Sequence, residues 1–327
     1  MAEGEIRTRR ADASDRSAIL ELCRTSLGWS TDDPDEAFFR WKHDENAFGV
    51  SPSWVAVAPD GALVGLRVFL RWRFRQPDGT TVAAVRAVDT ATHPDWRGRS
   101  IFSTLTLGAL PDLREEGVGM VFNTPNDKSM PGYLKMGWSQ VGKVPVRARL
   151  GSPASLRRVA GARTAAELWS EAVTTGESAA AVFADQDAVD ALLRRCPPSP
   201  AIATDRSAAF LAWRYRFEPL HYRVMPLGDA LTDGVVVFRA RRRGGALEAT
   251  ICDVVAPSRR GLRAALGRIR RGVGADYLLA GDRTAGLGEG FLPARGLGPM
   301  LTWMPLTRPG VPSLSSLELA LGDIELF

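Results

Sequence analysis

The residues best suited to chemistry lie between Val88 and Trp138. A strand-like run ends in Asp89-Thr90-Ala91-Thr92. The segment Pro94-Asp-Trp-Arg97-Gly98-Arg99-Ser100-Ile101-Phe102-Ser103 then opens a helix. The first N–H groups of a helix have no partner within it, and they carry the positive end of its dipole. A strand, a turn rich in arginine and small residues, and a helix start therefore make a cradle for a pyrophosphate. Arg97 and Arg99 would add charge-assisted contacts. The competing reading is a positively capped surface turn. No Ser-His-Asp order, P-loop, zinc spacing or dinucleotide fingerprint offers a rival chemistry.

The elements that must position this stretch can be read from the pattern around it. Ile6 to Arg10 reads as a short strand, and Ala13 to Ser26 as a helix with Ser14 as N-cap. Trp54 to Ala58, a Pro59-Asp-Gly turn and Ala62 to Trp72 read as a hairpin. A further strand, Thr81 to Thr92, follows the Pro77-Asp-Gly turn. A helix then runs from Ser100 to about Glu116, a buried strand from Val118 to Asn123, and a short helix ends at Lys135-Met-Gly-Trp. The order β-α-β-β-β-α-β-α implies an α/β (α+β) fold with a mixed sheet flanked by helices.

At 327 residues the chain is about twice a typical domain of ~150 residues. From Gly151 to Pro200 the sequence turns Ala-, Ser- and Arg-rich and ends in Cys196-Pro-Pro-Ser-Pro, like a linker. The second half then repeats the first weakly. Phe38-Phe-Arg-Trp41-Lys matches Phe210-Leu-Ala-Trp213-Arg, the hairpin Trp54 to Trp72 matches Tyr222 to Ala240, and Val88-Asp89 matches Cys252-Asp253. Pro94 and Arg97 find Pro257 and Arg260 at one shared offset of 163 residues. We therefore expect domains at 1–150 and 201–327, joined by a helical or linker segment at 151–200. The second copy lacks parts of the first: where one has Tyr133 four residues before Gly137, the other has Leu292 before Gly296. The stem Trp213 to Phe217 and the tail Leu317 to Phe327 are expected to pack into the second copy.

Composition excludes some classes. With 45% hydrophobic and 24% charged residues, the chain is an ordinary globular protein, with no apolar run long enough to span a membrane. Its N-terminus has no apolar signal core. Three widely spaced cysteines and three histidines argue against a disulfide framework or a metal site and fit the cytoplasm. The net charge of +5 is uneven, because ten arginines fall between Arg239 and Arg271 against Glu248 and Asp253. That block lacks interleaved aromatics for base stacking, so a solvated basic face is preferred to a nucleic-acid site.

Downstream of the cradle comes Asn126-Asp-Lys-Ser129-Met-Pro-Gly-Tyr133-Leu-Lys-Met-Gly137-Trp138. With this segment the sequence resembles the GCN5-related N-acetyltransferases, whose fourth strand leads into an Arg/Gln-x-x-Gly-x-Gly/Ala loop around the coenzyme A pyrophosphate. A later helix of that family reads Asn-x-x-Ala-x-x-x-Tyr-x-x-x-Gly-Phe, and Asn126, Ser129, Tyr133, Gly137 and Trp138 fall on its spacing. The resemblance covers Ile6 to about Leu150 well and Thr204 to Leu306 faintly, as a two-copy member with a degenerate second copy.

The resemblance implies an acyl-coenzyme A-dependent N-acyltransferase. An amine would attack the thioester directly in a ternary complex. Acetyl-coenzyme A would be the co-substrate, without a metal, and a small-molecule primary amine such as an amino sugar the acceptor. Thr90 and Thr92 on the splayed fourth strand would hold the pantetheine arm. Arg97, Gly98, Arg99, Ser100, Ile101, Phe102 and Ser103 would bind the diphosphate, and Asn126 the pantetheine or the helix start. Tyr133 would protonate the departing thiolate. Asp89 stands near where many members place a general base; His93 is a second candidate, and Glu36, Asp44 and Glu45 could read a cationic acceptor.

Two departures mark the loop. Ser100 and Phe102 replace the two glycines, so anion binding is expected to survive if the φ of Ser100 stays negative, while Phe102 either faces the sheet or crowds the diphosphate. Pro131 belongs in a helical first turn, so that helix should begin just before it. Two other readings stand beside the transferase. One is an aminoacyl-tRNA-dependent peptidyltransferase-like protein using the basic block; the other is a non-catalytic acyl-coenzyme A sensor. A homo-oligomer is left open.

Overall fold

The computed structural model describes residues 5–162, 164–294, 296–308 and 310–324. The last three residues of the expected tail therefore lie outside the described residues. Contacts divide the chain into two compact units. The first contains the described residues of Met1–Arg75, Thr80–Gly142 and Met300–Ser313; the second contains those of Gln76–Gly79, Lys143–Pro299 and Leu314–Phe327.

In the first unit, β1 (Arg7–Arg10), β2 (Ser53–Val57), β3 (Leu63–Arg75), β4 (Thr81–Thr92), β5 (Met120–Asn123) and β6 (Ser139–Lys143) build a mixed sheet. A strand from late in the chain, Met300–Pro305, lies between β5 and β6. β1 through β4 pair antiparallel in chain order. β5 joins β4 in parallel after a crossover, and Met300–Pro305 joins β5 antiparallel. Long strands rich in Val, Phe and Trp suit a pleated, half-buried surface, and the Asp60 carboxylate closes the β2–β3 turn by accepting from the Ala62 N–H at 3.0 Å.

Helix α1 (Arg16–Leu27) begins differently from the expectation. A 3-10 turn, Ala13–Asp15, leads into it, and Asp12, not Ser14, caps that turn. Its carboxylate accepts from the Ser14 N–H at 2.8 Å, and Asp15 reaches back to the Asp12 N–H at 3.0 Å. A carboxylate at a helix start also gains from the dipole, so one 3-10 turn precedes the helix proper. A short helix α2 (Asp35–Phe39) continues into one π-helical turn, Arg40–Asp44. The expected helix from Ser100 to Glu116 is two, α3 (Ile101–Gly108) and α4 (Leu110–Glu115), parted where Pro111 cannot continue the ladder. Helix α5 (Met130–Lys135) starts one residue before Pro131.

The core of this unit joins Trp54, Phe69, Val85, Ile101, Leu105, Leu113, Val121, Tyr133 and Trp138. Ile101 and Leu105, one turn apart, press α3 on the sheet at Gly65, where a Cβ would stand 2.3 Å from Ile101 and 2.9 Å from Ala56.

Among the described residues the second unit has its own sheet of seven strands. Strands Arg223–Pro226, Val235–Arg243 and Ala246–Val255 pair antiparallel in succession. Helix Leu262–Val273 then leads to Tyr277–Gly281, parallel to Ala246–Val255. This is the same succession as β2, β3, β4, α3 and β5, and two sheets so built fit a tandem arrangement. Most of its dense arginines are engaged. Arg241 and Arg243 pair with the buried Glu248 at 3.1 and 3.0 Å. Arg242 pairs with Glu171 at 2.8 Å, Arg259 with Glu289 at 2.9 Å, and Arg270 donates to the Gly151 carbonyl at 2.7 Å. Among the described residues no helix is long and apolar enough to cross a membrane.

Candidate active site

The site is organised by a bulge in β4. Leu66 pairs with Ala91 and Val68 with Val88, so Arg67 on β3 stands opposite two residues, Asp89 and Thr90. An extra residue kinks a strand and re-aims its side chains. Asp89 absorbs the kink at φ +42°, a left-handed conformation that Asp tolerates better than most residues. β4 and β5 pair only from Ala84 to Arg86 against Met120 to Phe122. Beyond that point, among the described residues, the parallel strands no longer pair, which leaves Val88 to Thr92 free of a β5 partner.

The Asp89 carboxylate is buried and turned to the α2 segment. Lys42 Nζ lies 3.0 and 2.9 Å from its two oxygens, and His43 Nε2 lies 2.6 Å from the second. A carboxylate here can only accept, so Nε2 carries the proton and donates. Burial alone would raise the Asp89 carboxyl, but the Lys42 charge and the His43 hydrogen bond outweigh it and hold the group well below the usual carboxylate range. Burial holds His43 below its ordinary value, against the pull of Asp89. A carboxylate stabilised in this way is a poor proton acceptor. The position expected to supply a general base instead ties the bulge to Lys42 and His43.

Tyr133 and Thr90 do come together, through a residue the sequence reading passed over. Arg67 is fully buried. It donates to the Thr90 hydroxyl and, at 2.7 Å, to the Tyr133 hydroxyl oxygen. Its guanidinium carbon lies 4.9, 5.5 and 5.3 Å from the ring centres of Phe69, Phe102 and Tyr133. The Tyr133 ring is held edge-on by Phe102 at 5.3 Å and Trp138 at 5.4 Å. Phe102 therefore neither lies on the sheet alone nor fills the loop. It packs toward α5, where a Cβ on Gly132 would stand 2.7 Å from its ring.

The turn before α3 departs from the expected negative φ at Ser100. Ser100, directly before α3, has φ +59° and no side-chain cap bond. Ser100, which stands where the resemblance expects a glycine, takes the left-handed backbone that glycine adopts most easily. Gly98 is also left-handed, at φ +79°. The first bond that closes on the turn is Thr104 N–H to Ser100 O at 2.9 Å. Among the described residues, the N–H groups of Gly98, Arg99, Ser100, Ile101, Phe102 and Ser103 donate to no protein acceptor. Consecutive amides of this kind form an anion-binding concavity. Arg97 to Ser100 are exposed, and Arg99 lies over the Trp96 ring at 4.7 Å. The matching turn of the second unit is closed: Leu262 N–H donates to Arg259 O at 3.2 Å, Arg260 N–H to Ser258 Oγ at 3.3 Å, and a Cβ on Gly261 would stand 2.3 Å from the Leu227 carbonyl oxygen. Leu292 there is in a strand.

The other expected residues take local roles. Asn126 Oδ1 accepts from the N–H groups of Lys128 and Ser129 at 3.1 and 3.0 Å and so shapes the turn into α5. The Thr92 carbonyl accepts from Ser26 Oγ at 3.2 Å. His93 Nδ1 accepts from the Asp95 N–H at 3.4 Å at the start of a 3-10 turn. Asp44 pairs with Arg16 at 2.6 Å and Glu45 with Arg40 at 3.2 Å, while Glu36 is exposed. Among the described residues no group of His, Cys, Asp and Glu is arranged to hold a metal ion.

No curated protein matches the sequence. A family model described as an acetyltransferase (GNAT) domain matches residues 7–141. Three solved structures are similar over nearly the whole chain. A probable N-acyltransferase of unknown function from Enterococcus faecalis V583 is 12% identical, with TM-score 0.62 over 93% of this chain and 73% of that one. A GCN5-related N-acetyltransferase from Anabaena variabilis ATCC 29413 is 13% identical, with TM-score 0.60 over 92% and 73%. Another from Kribbella flavida is 17% identical, with TM-score 0.56 over 92% and 72%. The fold is that of these N-acetyltransferases, and residues 7–141 match an acetyltransferase (GNAT) domain.

Proposed function

We propose that this chain transfers an acyl group, acetyl by default, from acyl-coenzyme A to a primary amine of a small molecule. The reading rests above all on the row of unpartnered N–H groups from Gly98 to Ser103, set between the exposed Arg97 and Arg99 side chains and the start of α3. Six amides without acceptors and two nearby cations fit a diphosphate better than any neutral group. Val88 to Thr92, unpaired toward β5, would take the pantetheine arm along the strand.

The direct reaction asks two things of this chain's residues. The acyl carbon must be held where an amine can reach it, and the departing sulfur must receive a proton. Tyr133 is fitted for the second task. Arg67 donates to its oxygen, so its own proton remains available for the thiolate, at a gain of about 10²–10⁴ in rate. Asp89 enters as the residue that fixes the bulge, not as the base. The second unit, with its corresponding turn closed and no hydroxyl at Leu292, is assigned a structural part in a two-copy chain. Three free cysteines suit a reducing compartment such as the cytoplasm.

Thiol release from acetyl-coenzyme A is the direct test, read with primary amines from glucosamine to spermidine. The expected result is acceptor-dependent release, with kcat lowered at least about 10²-fold in Tyr133→Phe and KM for acetyl-coenzyme A little changed. Absence of release with every amine would overturn the transferase reading.

A further inference from the structure

Among the described residues, no carboxylate hydrogen-bonds the buried charge of Arg67. Its side chain is fully buried, and among the described residues its Nε has no hydrogen-bond partner. The groups around it are two hydroxyls, of Thr90 and Tyr133, and the ring faces of Phe69, Phe102 and Tyr133. None is a carboxylate. Ring faces and neutral hydroxyls return only part of what a guanidinium loses on leaving water. Its neighbours Leu66, Val68 and Phe69 show what this strand otherwise buries. A cation retained at such a place needs a negative charge to meet, and a reaction can supply one transiently.

The hydrogen-bond direction says which charge. A guanidinium has donors only, so the Tyr133 oxygen accepts and the phenolic proton must point elsewhere. When that proton leaves, the oxygen becomes negative 2.7 Å from a fixed positive charge. Preorganised countercharge of this kind needs no rearrangement as the reaction proceeds. The β4 bulge explains the aim, because Arg67 is the one β3 residue facing both Asp89 and Thr90.

We infer that Arg67 is the positioning residue of the transfer, fixing the Tyr133 hydroxyl as a proton donor and balancing the phenolate it becomes. This rests on the transferase reading above. As the carbon–sulfur bond breaks, sulfur takes the electron pair. The Tyr133 O–H bond breaks toward oxygen, and the proton forms the thiol. The proton that the attacking amine gives up on becoming an amide restores the phenol.

The test compares wild type, Arg67→Met, Arg67→Lys, Tyr133→Phe and Arg67→Met/Tyr133→Phe, using acetyl-coenzyme A and the best acceptor of the amine panel. An apolar residue of similar size removes a buried cation, so Arg67→Met is expected to unfold at an equal or higher temperature while kcat falls about 10²-fold. Arg67→Lys should recover part of kcat. The double variant should be no slower than Tyr133→Phe alone, because both act on one proton. Arg67→Met with wild-type kcat overturns the inference. So does an equal loss with and without the Tyr133 hydroxyl, which marks a merely structural arginine. If Arg67→Met fails to fold, Arg67→Lys in the two Tyr133 backgrounds decides on the same additivity. A wild type that releases no thiol with any amine overturns the transferase reading and this inference with it.

Discussion

Arg67 and Tyr133 come from a strand and a helix 66 positions apart, and a 2.7 Å hydrogen bond inside the core joins them. The bond fixes the one hydroxyl that the family's motif would use, and it fixes it from the side of the β4 bulge. The fold therefore links the strand that would hold the thioester arm to the helix that would supply its proton.

The proposed anion cradle is strained at one residue. Ser100 occupies a left-handed conformation that costs an L-residue with a Cβ about 1 kcal/mol. Ser100→Gly should remove that cost while keeping the amide directions, so we expect stability to rise by up to about 1 kcal/mol and acetyl-coenzyme A affinity to change little. Denaturant unfolding and calorimetric titration check the two halves. A loss of stability would mean that the serine side chain contributes more than its backbone costs.

The buried Lys42–Asp89–His43 group should make the fold sensitive to acid. Asp89 is held below its unfolded value near 4, and burial holds His43 below its unfolded value near 6.5. Both depressed groups contribute stability that is full above the unfolded value and lost as pH falls toward the folded one. The melting temperature should be level just above pH ~6.5, begin to fall below it as unfolded His43 takes up a proton, and fall further below ~4. Asp89→Asn removes the charged partner that Lys42 and His43 share in the core and should cost about 3–5 kcal/mol. A pH profile that stays level from 7 to 5, or an Asp89→Asn variant as stable as wild type, contradicts this account.

Gly65 sets how closely α3 can approach the sheet. A methyl group there would meet Ile101 at 2.3 Å and Ala56 at 2.9 Å, and Ile101 is the first residue of the helix that carries the cradle. Gly65→Ala is expected to cost about 1–3 kcal/mol and also to weaken acetyl-coenzyme A binding, since it displaces the amides proposed to bind the diphosphate. Gly108→Ala, at a position with open space for a methyl group, is the matched control and should leave binding unchanged. Equal behaviour of the two would show that the close packing at Gly65 carries no functional weight.

Much of the first unit was legible because its signals are local. Turns at Pro59-Asp-Gly, alternating strands, the arginine-rich helix start and the position of Pro131 each depend on a few neighbouring residues. Ser100 was legible as part of the cradle but not in its backbone, because a short polar residue gives no sign of which φ the loop imposes. Asp12 displaced Ser14 as cap because Asp15 completes a reciprocal pair with it. Asp89 looked like a base by position along the strand; only the tertiary approach of Lys42 and His43, 47 and 46 residues away, shows that its oxygens are occupied. Arg67 left one faint trace, a single charge inside the apolar run Leu63-Val-Gly-Leu-Arg-Val-Phe-Leu. Its meaning depends on the bulge across the sheet, which no local pattern reveals.

The most direct test of the central claim is thermal unfolding with and without acetyl-coenzyme A, for wild type, Arg97→Ala and Tyr133→Phe. A ligand at 100 times its Kd stabilises a fold by about 2.7 kcal/mol. The account predicts a clear rise in Tm for wild type, a smaller one for Arg97→Ala, which removes a charge beside the cradle, and an undiminished one for Tyr133→Phe. No rise at millimolar acetyl-coenzyme A, or a rise indifferent to Arg97→Ala, would contradict it.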